Sequence, residues 1–199
     1  MKIILIGASG TLGKAIAFEV LPRHEIFTVG RNSGDYRADF RDIKSLQSLF
    51  QKTGKVDAIV CAAGSAFFGP WNELTPEKFE IGLRDKLMGQ VNTVVAGQEF
   101  LNDGGSFTLT SGILSQDPIR NGVALSLVNG GLESFVRAAA IELPPGLRIN
   151  IVSPTIVTES TDSYGQYFPG YEPVPGRRAA LAYSKSVEGH QTGQIYKVW

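Results

Sequence analysis

Short apolar runs alternate along this chain with stretches in which apolar residues recur every three or four positions. The runs Ile3–Ile6, Glu25–Val29, Ala58–Ala62, Phe107–Thr110, Ile149–Val152 and Ile195–Val198 read as strands, with a short extra strand around Tyr36–Ala38. Between them Leu12–Leu21, Ile43–Lys52, Glu77–Leu101, Ala124–Leu143 and Arg177–Val187 carry the helical period. Asp42 ahead of Ile43, and Thr75 ahead of Pro76, mark helix starts. Pro144-Pro145-Gly146 ends the long helix before it. Strands that are apolar on both faces and separated by helices predict an α/β fold: a Rossmann-type, doubly wound parallel sheet with helices on both faces. No internal repeat interrupts the pattern, so residues 1–199 are expected to form one domain. Residues 158–176 are irregular and rich in Gly, Pro and Tyr, and they follow a strand end, where a lid over a crevice belongs.

Composition narrows the classes of function. The 199 residues are 43% hydrophobic with a formal net charge of +0, enough for a sizeable core and no argument for nucleic acid or an anionic membrane surface. No apolar run approaches the roughly 20 residues of a spanning helix. The first strand is too short for a signal-peptide core, so a cytoplasmic protein is expected. Cys61 is the one cysteine, which excludes an internal disulfide and a thiolate zinc site. His24 and His190 read as surface residues, and no metal site is expected.

The candidate chemistry lies at Gly7-Ala8-Ser9-Gly10-Thr11-Leu12-Gly13, directly after the first strand. Glycines spaced between a strand and a helix permit a tight turn, close approach of backbone N–H groups to a pyrophosphate, and close helix–strand packing. The anion then sits at the positive end of the helix. Strand, glycine turn and helix in that order point to a dinucleotide.

Several further segments carry a family resemblance over most of the chain. Gly7–Gly13 has the G-x-x-G-x-x-G spacing, and Cys61-Ala62-Ala63-Gly64 is similar to an N-A-G segment closing the fourth strand. Thr110-Ser111-Gly112 is similar to the segment that holds a catalytic serine. Ser153-Pro154-Thr155-Ile156-Val157-Thr158 is similar to a P-G-x-x-x-T stretch around a nicotinamide, and Thr192-Gly193-Gln194 to a T-G-Q before the last strand. In this order and spacing they resemble a short-chain dehydrogenase/reductase of minimal length. The resemblance implies that Gly7, Ser9, Gly10, Thr11, Leu12 and Gly13 hold the pyrophosphate. It implies that Ala62, Ala63 and Gly64 line the cofactor, and that Pro154, Thr155 and Val157 embrace its nicotinamide. Asp39-Phe40 resembles the adenine-pocket pair. The second strand ends in Val29-Gly30-Arg31-Asn32-Ser33 with no carboxylate. Arg31 suits a 2′-phosphate, with Asn32 and Ser33 beside it, so NADP is expected over NAD. Asp35 is close enough to argue the other way.

The pattern departs from the family at the centre of its chemistry. The resemblance places a tyrosine and a lysine four residues apart on the long helix, where this chain has Leu125 and Asn129. Leu125 moves no proton, and Asn129 can bond a ribose but carries no charge. An asparagine of the preceding helix is replaced by Lys86. Lys86 is therefore expected to point into the crevice near Ser111 and Asn129 and to restore the missing cation. Ser111 and Lys86 are the candidate catalytic residues. Tyr164, Tyr167 and Tyr171 are phenols within the expected lid.

Two functions fit this reading: an NADP-dependent oxidoreductase of a small carbonyl or alcohol with a degenerate site, or a non-catalytic sensor of NADP(H) or a metabolite. The chain is short for the substrate domain of a sugar-nucleotide epimerase. Gly82 and Gly89 on one long helix and Gly130-Gly131 on another suggest close packing across a two-fold axis, as a homodimer or homotetramer.

Overall fold

Seven strands form one sheet in the computed structural model, which describes residues Met1–Trp199. They are β1 (Lys2–Ile6), β2 (Glu25–Gly30), β3 (Tyr36–Arg37), β4 (Val56–Cys61), β5 (Leu101–Thr110), β6 (Arg148–Pro154) and β7 (Ile195–Val198). All neighbours are parallel, in the order β3-β2-β1-β4-β5-β6-β7. The alternation of side chains explains why β1 is apolar throughout. Ile4 and Ile6 enter one core with Leu46, Phe50, Phe107 and Leu132, while Ile3 and Leu5 enter the other with Ile16, Val20 and Tyr183.

Helices α1 (Thr11–Val20) and α7 (Gly176–Glu188) cover one face. The other is covered by α2 (Ile43–Thr53), α4 (Met88–Gly97) and α5 (Val123–Glu142). Asp42 caps α2 by accepting a hydrogen bond from the Lys44 N–H at 2.9 Å. Thr75 makes no such bond, and Pro76 alone sets the start of α3 (Pro76–Gly82).

Two elements differ from the sequence expectation. The helix expected over Glu77–Leu101 is divided by a π-helical turn at Leu83–Leu87, which inserts a residue into the ladder and turns Lys86 inward. Its α-helical part also ends early, at Gly97, and a 3-10 turn over Gln98–Phe100 leads into the next strand. Strand β5 consequently starts at Leu101, six residues before the apolar run suggests. Its polar opening, Asn102-Asp103-Gly104-Gly105, hides it from a hydrophobic pattern, and Asn102 ties it to Asp57 at 2.7 Å.

The expected reason for two glycines is also corrected. A Cβ on Gly82 would meet Ala66 at 2.6 Å, and one on Gly89 would meet the Phe40 ring at 2.3 Å. Both are small because the chain packs on itself there. Gly131 faces Leu87 at 3.4 Å, and Gly130 faces open space.

Candidate functional site

The strand order reverses at β1, whose neighbours β2 and β4 are reached by crossovers on opposite faces. Loops leaving the carboxyl ends of the strands diverge there and leave a crevice. A cavity of about 310 Å³ fills it, walled by Gly7, Ser9, Arg31, Asp39, Phe40, Ala63 and Gly64 among others. A second cavity of about 340 Å³ lies beneath the 158–176 segment. Gly64 and Ser65 line both, so the two form one cleft.

The glycine turn is built by two contacts and one space. Gly7 has φ +88°, and a Cβ on it would lie 2.7 Å from the Ala62 carbonyl oxygen. A Cβ on Gly13 would lie 2.0 Å from the Gly7 oxygen. Gly10 differs: its nearest protein atom would be 3.4 Å away. No side chain caps α1 at Gly10. The helix therefore presents free N–H groups with room in front of them, an arrangement that fits a pyrophosphate.

Arg31, Asn32 and Ser33 are exposed at the end of β2. Asp35 does not share their space. Its carboxylate accepts from the Thr28 N–H at 2.9 Å and the Thr28 hydroxyl at 2.7 Å, which holds its pKa below the usual carboxylate range. Asp39 is engaged as well. Arg41 donates to it through Nε at 2.8 Å and through Nη2, and this pairing holds the carboxyl down at about 2. Arg41 lines the cavity beside Arg31, so this end of the cleft has two guanidinium groups, with Asp39 and Asp85 as its carboxylates. Arg41 and Asp85, which fixes the Ser65 N–H at 3.1 Å, were missed at the sequence level. No period or motif marks either of them.

The far end of the cleft is chemically different. Leu125 lies in its wall with Leu114, Phe68, Phe168 and Tyr164, and Pro154, Thr155 and Val157 form its floor. Ser111 is buried, and its hydroxyl donates to Glu133 at 2.9 Å. Glu133 also accepts from Ser115 at 2.6 Å and from Gln116 at 3.3 Å. This buried carboxylate was not singled out in the sequence, because its three donors come from a loop some twenty residues away.

Lys86 is 8% exposed and packs beneath Gly64, where a Cβ would lie 2.7 Å from the Lys86 Cα. Its Nζ donates to the Ser111 carbonyl at 3.1 Å. Burial pushes the ammonium pKa down to about 8, opposed in part by the nearby Cys61. Asn129 donates to the Gly112 carbonyl at 3.3 Å, and its Oδ1 is sealed without a partner, so the ammonium does not bond it. Neither Lys86 nor Asn129 is among the residues lining the two cavities.

The 158–176 segment holds the short helix α6 (Thr161–Tyr164) and is tied down at its base. Val157 and Val174 form a parallel bridge, and Glu159 accepts from the Gly176 N–H at 2.9 Å at the start of α7. Of its tyrosines only Tyr164 reaches the cavity. Tyr167 packs edge-on to Phe68 at 4.8 Å between ring centres, and Tyr171 edge-on to Phe168 at 5.4 Å.

Comparison with known proteins adds the relatives. A family model described as enoyl-(acyl carrier protein) reductase matches residues 27–182. The chain is 29% identical over 126 residues to an L-xylulose reductase of Mesocricetus auratus, covering 61% of this chain and 52% of that protein. It thus spans about half the length of the curated relatives it matches. Among solved structures, protein lin1944 from Listeria innocua is 49% identical with a TM-score of 0.98, each chain covered in full. A small-chain dehydrogenase in complex with NADPH shares the fold at 23% identity and a TM-score of 0.88, covering 100% of this chain and 96% of that one. No helix is long and apolar enough to cross a membrane.

Proposed function

Since the chain belongs to the short-chain dehydrogenase/reductase family, we propose that it is an NADP(H)-dependent oxidoreductase of a small carbonyl or alcohol, with an altered active site. The observation that carries this reading is the continuous cleft. It joins an uncapped helix N-terminus and two arginines at one end to an apolar chamber at the other. The NADPH complex of the structural relative supports the choice of cofactor.

In this reading Gly7, Ser9, Gly10, Thr11, Leu12 and Gly13 cradle the pyrophosphate. Arg31, with Asn32 and Ser33, takes the 2′-phosphate, and Arg41 completes its clamp. Asp39 and Phe40 flank the adenine, while Ala62, Ala63 and Gly64 line the middle of the cleft. Pro154, Thr155 and Val157 place the nicotinamide, and Asn129 supports the backbone at Gly112. When bound, the cofactor supplies the hydride chemistry. Lys86 contributes positive charge from beneath Gly64, and Ser111 acts through the carbonyl that holds Lys86.

Calorimetric titration is expected to give tighter binding of NADPH than of NADH. Arg31→Ala should weaken NADPH about 10- to 100-fold, as expected for losing one charge-assisted phosphate contact, and leave NADH unchanged. Tighter binding of NADH would overturn the cofactor assignment.

A second reading is favoured by Leu125 in the chamber wall and by the Ser111 hydroxyl given over to Glu133. On it the protein senses NADP(H) or a metabolite without turnover. Loss of acid–base catalysis costs about 10²- to 10⁴-fold, so a slow but saturable oxidation of NADPH separates the enzyme from the sensor.

Self-association belongs to the same proposal, as a homodimer or homotetramer. Ile81, Met88, Val95, Val123 and Leu127 are 38–50% exposed along α3, α4 and α5. A set of apolar side chains on neighbouring helices suits an isologous interface. Sedimentation is expected to return at least twice the 21.5 kDa of one chain, and Leu127→Arg to return the single chain. The free, buried Cys61 suits a reducing cytoplasm.

A further inference from the structure

Two of the three phenols in the 158–176 segment have no place in the cleft. Tyr167 and Tyr171 instead line a separate cavity of about 360 Å³. One of its walls comes from residues 166–171, the other from residues 118–121 in the loop that leads into α5. None of its eight lining residues lines either part of the cleft. No backbone hydrogen bond joins the two walls. The Tyr171 hydroxyl reaches across by donating to the Asp117 carbonyl at 3.3 Å. The cavity is a gap between two loops that the chain itself does not close.

Its walls are set before anything enters. Tyr167 packs edge-on against Phe68, and Tyr171 against Phe168. Asn121 has φ +67°, the one non-glycine residue in the left-handed region, and its carbonyl accepts from the Gly69 N–H at 3.0 Å. Asparagine tolerates that conformation, and the bond pins the turn beside Arg120. Groups fixed in advance lose little freedom when a ligand binds.

The lining offers one cation among flat surfaces. Arg120 is the only charged residue of the eight; it is exposed and makes no ion pair. A guanidinium presents two parallel N–H groups to a carboxylate. The two tyrosines supply rings for an aromatic partner, and Pro118 and Pro169 add rigid apolar surface. The side-chain amides of Asn121 and Gln166 add neutral donors. One cation matches one negative charge, rather than the nearly two of a phosphate monoester.

We propose that this cavity is a second ligand site, which takes a small aromatic carboxylate with its ring on Tyr167 and Tyr171 and its carboxylate on Arg120. It shares no lining residue with the cleft, so it stands whether or not NADP(H) binds there.

The test titrates 2-naphthoate into the full chain by calorimetry and by amide-resolved NMR. 2-Naphthalenemethanol keeps the rings without the charge, and cyclohexanecarboxylate keeps the charge without a flat ring. Naphthoate is expected to bind at least about tenfold more tightly than either. Its amide shifts are expected to cluster at residues 118–121 and 166–171 and to spare the Gly7–Gly13 turn. Arg120→Gln should weaken naphthoate at least about tenfold and leave 2-naphthalenemethanol unchanged. Arg120 is exposed and unpaired, so this variant keeps the fold. Tyr167→Leu should weaken both ring compounds; if it folds poorly, the Arg120 variant and the shift map still decide. No binding of naphthoate at millimolar concentration would overturn the proposal. So would shifts confined to the cleft, unchanged affinity in Arg120→Gln, or cyclohexanecarboxylate binding as tightly as naphthoate.

Discussion

Gly13→Val is expected to abolish binding of NADP(H) and to destabilise the chain by at least about 3 kcal/mol, the upper range for overpacking a tight contact. A Cβ at this position would lie 2.0 Å from the Gly7 carbonyl oxygen and 2.8 Å from the Ala8 Cα. Both are backbone atoms of the glycine turn, so no flexible side chain can swing aside. Relief requires that α1 slide away from β1 or that the turn open. Sliding α1 tears at Ile16 and Val20, which are buried against Ile3 and Leu5. Opening the turn moves Gly7, itself pressed against Ala62, and spreads the N–H groups proposed to hold the pyrophosphate. Denaturant unfolding with calorimetric titration checks both parts. A variant of wild-type stability with intact cofactor affinity would show that the turn is softer than this packing allows.

The second large effect is a pH dependence at Lys86. Burial holds its ammonium pKa down at about 8 in the folded chain, against 10.5 for an ordinary lysine. Below pH 8 both states are protonated, and the folded chain carries the full cost of a buried cation. Between pH 8 and 10.5 the unfolded chain binds more protons, so stability from this group rises with pH. Above 10.5 both are neutral and the cost is gone. The window corresponds to about 3 kcal/mol. The stability of the wild type relative to Lys86→Met is therefore expected to stay level up to pH 8 and to rise by about that amount by pH 10.5. Paired unfolding curves across that range measure it, and a flat difference would mean that the ammonium is solvated.

The same lysine connects stability to the proposed function. An anionic cofactor nearby raises its pKa, so binding near pH 8.5 is expected to take up protons. Calorimetry in two buffers of different ionisation enthalpy reads that uptake, and Lys86→Met should abolish it. On the proposed function, the buried charge costs stability in the protein alone and is offset when the anionic cofactor binds.

Much of this molecule is local and was legible along the chain. Strands apolar at every position, such as Ile3–Ile6, admit little but a sheet covered on both faces. Helix periods between them make that sheet parallel. The turn Gly7–Gly13 announced itself because its glycines answer to atoms within a few residues, Gly13 to Gly7 above all. The start of β5 was not legible, because polar Asn102 and Asp103 open it and only its pairing with β4 and Asp57 makes it a strand.

The site divides in the same way. Position along the chain brought out Arg31, Lys86 and Leu125 as residues worth attention. What they do depends on partners distant in sequence. Asp35 is withdrawn by Thr28, Asp39 is joined to Arg41, and the Ser111 hydroxyl is held by Glu133. Lys86 is buried because a π-helical turn rotates it under Gly64, twenty-two positions before it. Hydrophobic period is a property of neighbours along the chain, so sequence alone determined the sheet, its helices and the glycine turn. The pairing of charges and the sealing of a lysine require surfaces that meet only after the sheet has formed, and the tertiary structure alone decided them.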